Sequence, residues 1–291
     1  MKKHAKNLFR ILGYNVEKIK KQKSDLDLYI KIFGKESVEK RRFYNIGGGI
    51  FNHPAWTVID FVTDWYRKNE ANTGNNIHFD LMSLKPLPID SESAEIVFTS
   101  HTVEHITDEA AQNMFDESFR ILKKNGIFRV TTPNIDLAYR AYKENDKEYF
   151  YWYKTDVPTK INGIEVHKSR KESSIAQLFL FSFAATVSII VHDKTAEKID
   201  DQQLTKIFSE MKFEKAMDYI VAKCPVNLQK KYPGFHMNWW NKDKMFRVLK
   251  KAGFKTVYLS AHRQSYSPVL RNQLYFDNTK PAVSLYVEAK K

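Results

Sequence analysis

The chain has 291 residues, 43% of them hydrophobic and 14% aromatic, which excludes a disordered protein and leaves room for one large α/β domain, with or without a sizeable insertion. Its one cysteine, Cys224, excludes an internal disulfide framework and any cysteine-based zinc site; it suits a reducing compartment and reads as a small buried hydrophobe rather than a nucleophile. The net charge of +13 is uneven, with +7 in residues 1–23, so the body is only mildly basic and lacks the basic stripes expected of a nucleic-acid enzyme.

Residues 1–41 read as a basic N-terminal helical segment. Its apolar stretch Leu8, Phe9, Ile11 and Leu12 is broken by Arg10 and is too short for the core of a secretory leader. The charge there fits solubility, an anionic substrate or an anionic membrane surface, so the chain is expected in the cytoplasm, with peripheral association at the inner membrane face as one use of this segment.

From Arg42 onward strands and helices alternate. "FYNIG" (43–47), "WTVID" (56–60), "NIHFDL" (76–81), "AEIVFTSH" (94–101) and "GIFRVTTP" (126–133) are short β-branched or aromatic runs bounded by Gly, Pro, Asn or Asp. Between the last two, Ala111, Met114, Phe115, Ser118, Ile121 and Leu122 follow a helical period; Thr107 or Asp108 can cap the start and Gly126 follows the basic last turn. This alternation means a parallel sheet with crossover helices.

Residues 135–235 break the pattern and read as a helical cap, inserted after the fifth strand over the carboxyl ends of the sheet. They include "DLAYRAYKEN", "DDQQLTKIFSEM", "EKAMDYIVAK" and an aromatic cluster, Tyr149 to Tyr153. The apolar run Ile175–Val191 reads as a buried helix, being 17 residues long and carrying Gln177, Ser182, Thr186 and Ser188, just short of a membrane span. Residues 236–291 resume the alternation, with a helix capped by Asn241 or Asp243 and stopped at Gly253. Two strands, "FKTVYLSA" and "AVSLYVEA", follow it, the last antiparallel at or near a sheet edge.

Three glycines, Gly47 to Gly49, follow the first strand. The dinucleotide fingerprint G-x-G-x-x-G needs a glycine at position 52, which is Asn52, so that reading fails. Only about six residues, one of them Pro54, separate Gly49 from the second strand, whereas a parallel crossover usually takes about a dozen or more. The first crossover helix is therefore a stub or absent, and a helix-dipole phosphate site is not expected. Asp60 ends the second strand, where a carboxylate can accept both hydroxyls of a ribose. Asp80 ends the third, and "FTSHTVEHI" follows the fourth, so four successive strand ends carry polar groups toward one crevice.

The motifs "YNIGGG", "VID", "HFDLMSLKPLPIDSESAEIVFTSHTVEHI", "SFRILKKNGIFRVTTPN" and "AGFKTV…SLYVEAKK" together resemble the class I S-adenosylmethionine-dependent methyltransferases, in particular the short-first-loop bacterial branch associated with surface-polysaccharide biosynthesis. The resemblance covers about residues 43–134 and 236–291. It implies a Rossmann-like, mostly parallel sheet with an antiparallel final strand, and S-adenosyl-L-methionine as cofactor. By the same resemblance Gly47, Gly48 and Gly49 face the methionine part, Asp60 the ribose, Asp80 and Leu81 the adenine, while Ser100 and His101 line the methyl-bearing end. Asn45 stands where the family often carries an acid and can accept from the cofactor's amino group through its side-chain carbonyl.

Methyl transfer to a hydroxyl is helped by a general base near neutral pKa, a role suited to histidine. His101, Glu104 and His105 leave the fourth strand together, and His236, just before the resumed core, can project into the cleft; these four are the catalytic candidates. His78, within a strand, reads as structural. No cluster has metal-ligand spacing, so no metal is expected. The expected activity is O-methylation of a sugar or glycan precursor, with a small molecule or glycan end as acceptor; an RNA methyltransferase and a non-catalytic cofactor-binding module are the alternatives.

Overall fold

The computed structural model describes residues 25–61, 76–152, 159–161 and 164–291. The lysine-rich residues 1–23 of the N-terminal segment lie outside the described residues. Where description begins, helix α1 (Leu26–Phe33) and the short α2 (Lys35–Glu39) lie under the sheet, with Tyr29 fully buried and its hydroxyl accepting Trp56 Nε1–H at 2.8 Å.

Among the described residues nine strands follow in two sheets. Seven of them, β1 (Phe43–Ile46), β2 (Trp56–Asp60), β3 (Asn76–His78), β4 (Ala94–Ser100), β5 (Leu122–Pro133), β8 (Thr256–Leu259) and β9 (Ser284–Lys290), form one sheet in the order β3-β2-β1-β4-β5-β9-β8. Only β9 runs against its neighbours, wedged between β5 and β8 with Val130 opposite Val287. The final strand therefore lies one place in from the edge. The strand order reverses at β1, which pairs in parallel with β2 on one side and β4 on the other; in an open α/β sheet such a point opens the ligand crevice.

Helix α3 (Asp108–Ile121) returns from β4 to β5. Thr107 caps it by accepting Ala110 N–H, and Ala111, Met114, Phe115, Ser118 and Ile121 face inward as their spacing requires. They share a core with Phe128, Val130, Trp240, Met245, Leu249 and Val287, so α3 and α9 (Lys242–Lys251, capped by Asn241) cover one face of the sheet. The other face is closed by Tyr29, Phe43, Trp56, Phe98 and Phe276.

The segment after β5 packs around its own core. Helices α4 (Ile135–Lys143), α5 (Ile175–Phe181), α6 (Asp201–Glu210), α7 (Phe213–Val221) and α8 (Val226–Lys231) enclose Phe179, Phe183, Leu204, Met217, Ile220 and Trp239. The segment also holds an antiparallel pair, β6 (Thr159–Ile161) and β7 (Ile164–His167), where only helices were expected. The apolar run Ile175–Val191 is not one helix. Gln177 takes its place in the core by donating to Ile199 O and Asp201 Oδ1 and accepting from Ile189 N–H, and Ser182 Oγ donates to Phe179 O as α5 ends. These buried amide and hydroxyl groups need partners, so the run doubles back on itself. Among the described residues no helix is long and apolar enough to cross a membrane. Cys224 is buried, and burial pushes its thiol up to about 11, as befits an inert hydrophobe.

Arg129, in the middle of β5, is fully buried. Its guanidinium pairs with Asp277 at 2.6 Å and Glu288 at 2.8 Å, and donates to the carbonyls of Ala261 and Gln264. Burial alone would weaken its charge, but the hydrogen bonds and charges of the two carboxylates raise its pKa above the ordinary arginine value. Removing one partner of such a network strands the others: Arg129→Ala is expected to cost about 3–5 kcal/mol in urea denaturation, and a loss under about 1 kcal/mol would show the network to be dispensable.

Candidate active site

The nine residues between β1 and β2 contain no helix. The turn is instead pinned by backbone and rings: Gly47 N–H donates to Ile59 O at 2.8 Å, Phe51 N–H donates to Gly48 O at 2.9 Å, and the Phe51 ring packs edge-on against Trp56 and beside Phe276. Phe51 thereby anchors the turn to the core. Gly47 and Gly49 have φ of +68° and +52°. A Cβ on Gly47 would stand 2.2 Å from Thr102 Oγ1, while one on Gly49 would meet open space.

The carboxylate of Asp60 is oriented by two backbone donors, Gly49 N–H to Oδ2 at 2.6 Å and Phe61 N–H to Oδ1 at 2.7 Å. Thus the glycine turn and the second strand end form one unit. Asp80 accepts Met82 N–H at 2.9 Å and so caps the short turn Leu81–Ser83. Asn45 is 3% exposed, and its Oδ1 has no hydrogen-bond partner among the described residues. All of Asn45, Gly47, Gly48, Gly49, Asp60, Asp80, Leu81, Ser100 and His101 line one cleft of about 1190 Å³ at the carboxyl ends of the strands.

The catalytic candidates divide. His101 and His105 line this cleft; Glu104 and His236 stand behind them. His101 has φ +54°, bending the chain sharply off β4. Its Nε2 meets Ser284 Oγ at 2.8 Å and its Nδ1 lies 3.1 Å from Glu104 Oε1. The Ser284 hydroxyl donates to Lys280 O at 2.9 Å, so toward His101 it accepts. Both nitrogens of His101 are therefore engaged within the protein. His105 donates Nδ1–H to Phe235 O at 3.1 Å, His236 donates Nδ1–H to Ser182 O at 2.6 Å, and the two rings meet edge to face at 4.7 Å. Burial would raise the Glu104 pKa, but the charge of His101, supported by His105 and His236, outweighs it and holds the carboxyl at about 2. Burial, aided by His105, pulls His236 down to about 4.

Local spacing could not show this convergence, because His236 reaches Glu104 and His105 only through the fold. Sequence reading also missed the far wall of the cleft: Gln229 and Lys230 from α8, and Tyr275, Asp277, Asn278 and Thr279 from the loop before β9, come from stretches with no motif. His78, expected to be structural, is exposed at the cleft with its ring 5.1 Å from Phe61. Other aromatic rings of the cap and its return segment lie elsewhere. Trp239 and Trp240 are buried, Tyr149, Phe150 and Tyr151 do not line the cleft, and the Trp152 side chain and Tyr153 lie outside the described residues.

Gly49→Ala should cost only the roughly 1–2 kcal/mol of forcing a Cβ into the left-handed region, whereas Gly47→Ala should cost clearly more because Thr102 must also move. Urea denaturation of both variants decides this, and equal losses would mean that Thr102 gives way freely.

Residues 54–130, from just before β2 into β5, match a family described as a methyltransferase domain. No curated protein matches the chain in sequence. Solved structures similar to it include a SAM-dependent methyltransferase from Archaeoglobus fulgidus, at 13% identity and TM-score 0.41 over 91% of this chain and 93% of that one. Another, from Thermotoga maritima, aligns at 10% identity and TM-score 0.38 over 92% and 96%. A third, from Mesorhizobium loti, aligns at 11% and 0.38 over 86% and 90%. The strand order is that of an open, mostly parallel α/β sheet, and within it residues 54–130 are similar to a methyltransferase domain.

Proposed function

We propose that the protein methylates an oxygen on a sugar or glycan precursor of a bacterial surface polysaccharide. The observation that carries this reading is the continuity of the cleft, which joins the strand-end residues to His105 and to a wall bearing Gln229, Lys230, Asn278 and Thr279. Pockets for one drug-sized ligand run to about 300–1,000 Å³, so about 1190 Å³ leaves space for an acceptor beside the cofactor. Amide, amine and hydroxyl groups on that wall suit a hydroxyl-rich acceptor, and Tyr275 adds an aromatic face.

The residues present fit the cofactor. The buried, unpartnered Oδ1 of Asn45 offers an acceptor to an amino group, the oriented carboxylate of Asp60 suits paired ribose hydroxyls, and Asp80 with Leu81 suits a purine. When bound, S-adenosylmethionine supplies a methyl group on a positively charged sulfur, open to in-line displacement. The protein then has to hold the acceptor oxygen in place, exclude water and help remove its proton. His105 is the member of the histidine group that both faces the cleft and keeps a ring nitrogen, Nε2, as an acceptor; it is the contact for the acceptor hydroxyl. His101, held between Glu104 and Ser284, is a positioning residue.

Asp60→Ala should weaken S-adenosylhomocysteine binding by about 1–3 kcal/mol in calorimetry, the loss expected for hydrogen bonds to a buried group; unchanged affinity would remove Asp60 from the site. Methyl label from S-adenosylmethionine should pass to hydroxyls of nucleotide-linked sugars or glycan ends and be lost in His105→Ala. Transfer to RNA alone, or to nitrogen alone, would overturn the reading.

A further inference from the structure

Glu104 and His105 come from the turn after β4, and His236 from the segment returning from the cap to α9. One donor atom from each lies within 4.8 Å of the others. Both imidazoles give Nδ1–H to a backbone carbonyl, which leaves the lone pair of each on Nε2. Metal-bound histidines are held in this way, the second nitrogen fixing tautomer and ring direction. The third donor is a carboxylate only 2% exposed. Its Oε2 accepts the Thr132 hydroxyl at 3.0 Å, while Oε1 pairs with His101 Nδ1 at 3.1 Å as an ion contact and has no aligned hydrogen bond among the described residues. A buried carboxylate oxygen in this state has lone pairs left for a further cation.

We propose that Glu104, His105 and His236 bind one divalent transition-metal ion, zinc fitting best, with a coordination position left for an oxygen of the acceptor on the cleft side, where His105 stands. Two imidazoles and one carboxylate form a donor set of catalytic zinc sites, which keep a fourth position for water or substrate. Magnesium and calcium favour oxygen-rich sets and are a poorer match. Donors on one tetrahedral zinc stand about 3.4 Å apart at bond lengths of about 2.0–2.1 Å, so side-chain rotations of about an ångström close the shell. The metal site rests on geometry alone; its use in activating an acceptor hydroxyl rests on the O-methylation reading, and with the ion bound His105 Nε2 meets the acceptor oxygen through the metal rather than directly. The group is absent from sequence spacing because its histidines belong to separate parts of the chain.

The test uses the full, untagged chain, stripped with chelator and dialysed. Titration with zinc chloride in a calorimeter is expected to show one saturable equivalent, and cobalt chloride to give the visible bands of a four- or five-coordinate nitrogen and oxygen site. His105→Ala and His236→Ala should each weaken zinc at least about 100-fold, since loss of an outer-shell partner alone costs about 10–100-fold. Glu104→Gln, which keeps the shape of the side chain, should do the same with an unchanged circular dichroism spectrum. No zinc uptake by the wild-type chain, or uptake as tight in the two histidine variants, overturns the site. S-adenosylhomocysteine binding by the stripped wild-type chain is measured in parallel: zinc failing while it persists overturns the metal site alone, and its failing while zinc binds overturns the methyltransferase reading alone.

Discussion

A guanidinium buried in the middle of the sheet is the constraint on which the site depends. Arg129 can be kept there only if carboxylates come to it, and one of them, Asp277, sits in the loop between β8 and β9. Bringing Asp277 in seats Phe276 against Trp56 and Phe98, and places Tyr275 beside Phe51 and His53. Part of the far wall of the cleft, which includes Asp277 itself, is thus set by a buried charge on β5. Charge burial, costly by itself, becomes a means of fixing where a loop lies.

The same aromatic cluster explains why the first crossover manages without a helix. A parallel connection of nine residues has to reverse direction twice, which glycine in the left-handed region permits at Gly47 and Gly49. Flexibility would follow from such a turn unless something held it. Phe51 does so from the core side, and Asp60 from the cleft side through Gly49 N–H. The carboxylate that is suited to a ribose is therefore oriented by the turn it helps to hold, so the arrangement exists ahead of any ligand.

Much of this was legible in the sequence, and the limits have physical causes. The five parallel strands and α3 could be read because each is a local pattern, ended by Gly, Pro, Asn or Asp. That the nine proposed cofactor contacts line one cleft could be read because in a parallel sheet strand ends necessarily meet at one edge. The apolar run after Ile175 could not, because continuous hydrophobicity carries no period and the turn depends on Gln177 finding partners more than twenty residues away. Arg129 looked like an ordinary strand residue, its partners lying 148 and 159 positions further on. The Glu104, His105 and His236 group was hidden for the same reason.

The segment around His236 joins the two cores. Met237 and Trp239 belong to the core of the cap, and Trp240, next in the chain, belongs to that of the sheet. Backbone N–H groups of Met237 and Asn238 both donate to Glu104 O, and the buried Lys244 sits against both tryptophan rings while its ammonium meets Asp108 at 2.7 Å and Asn238 at 2.9 Å. The histidine pair therefore stands where cap and sheet are most firmly joined. Strand ends, fixed by the sheet, set one half of the cleft; His236, α8 and their neighbours, fixed by the cap, set the other. Under that division a change in the cap reshapes the wall that the cap supplies, while Asn45, the glycine turn and Asp60 keep their geometry, because their supports all lie on the sheet side of the joint.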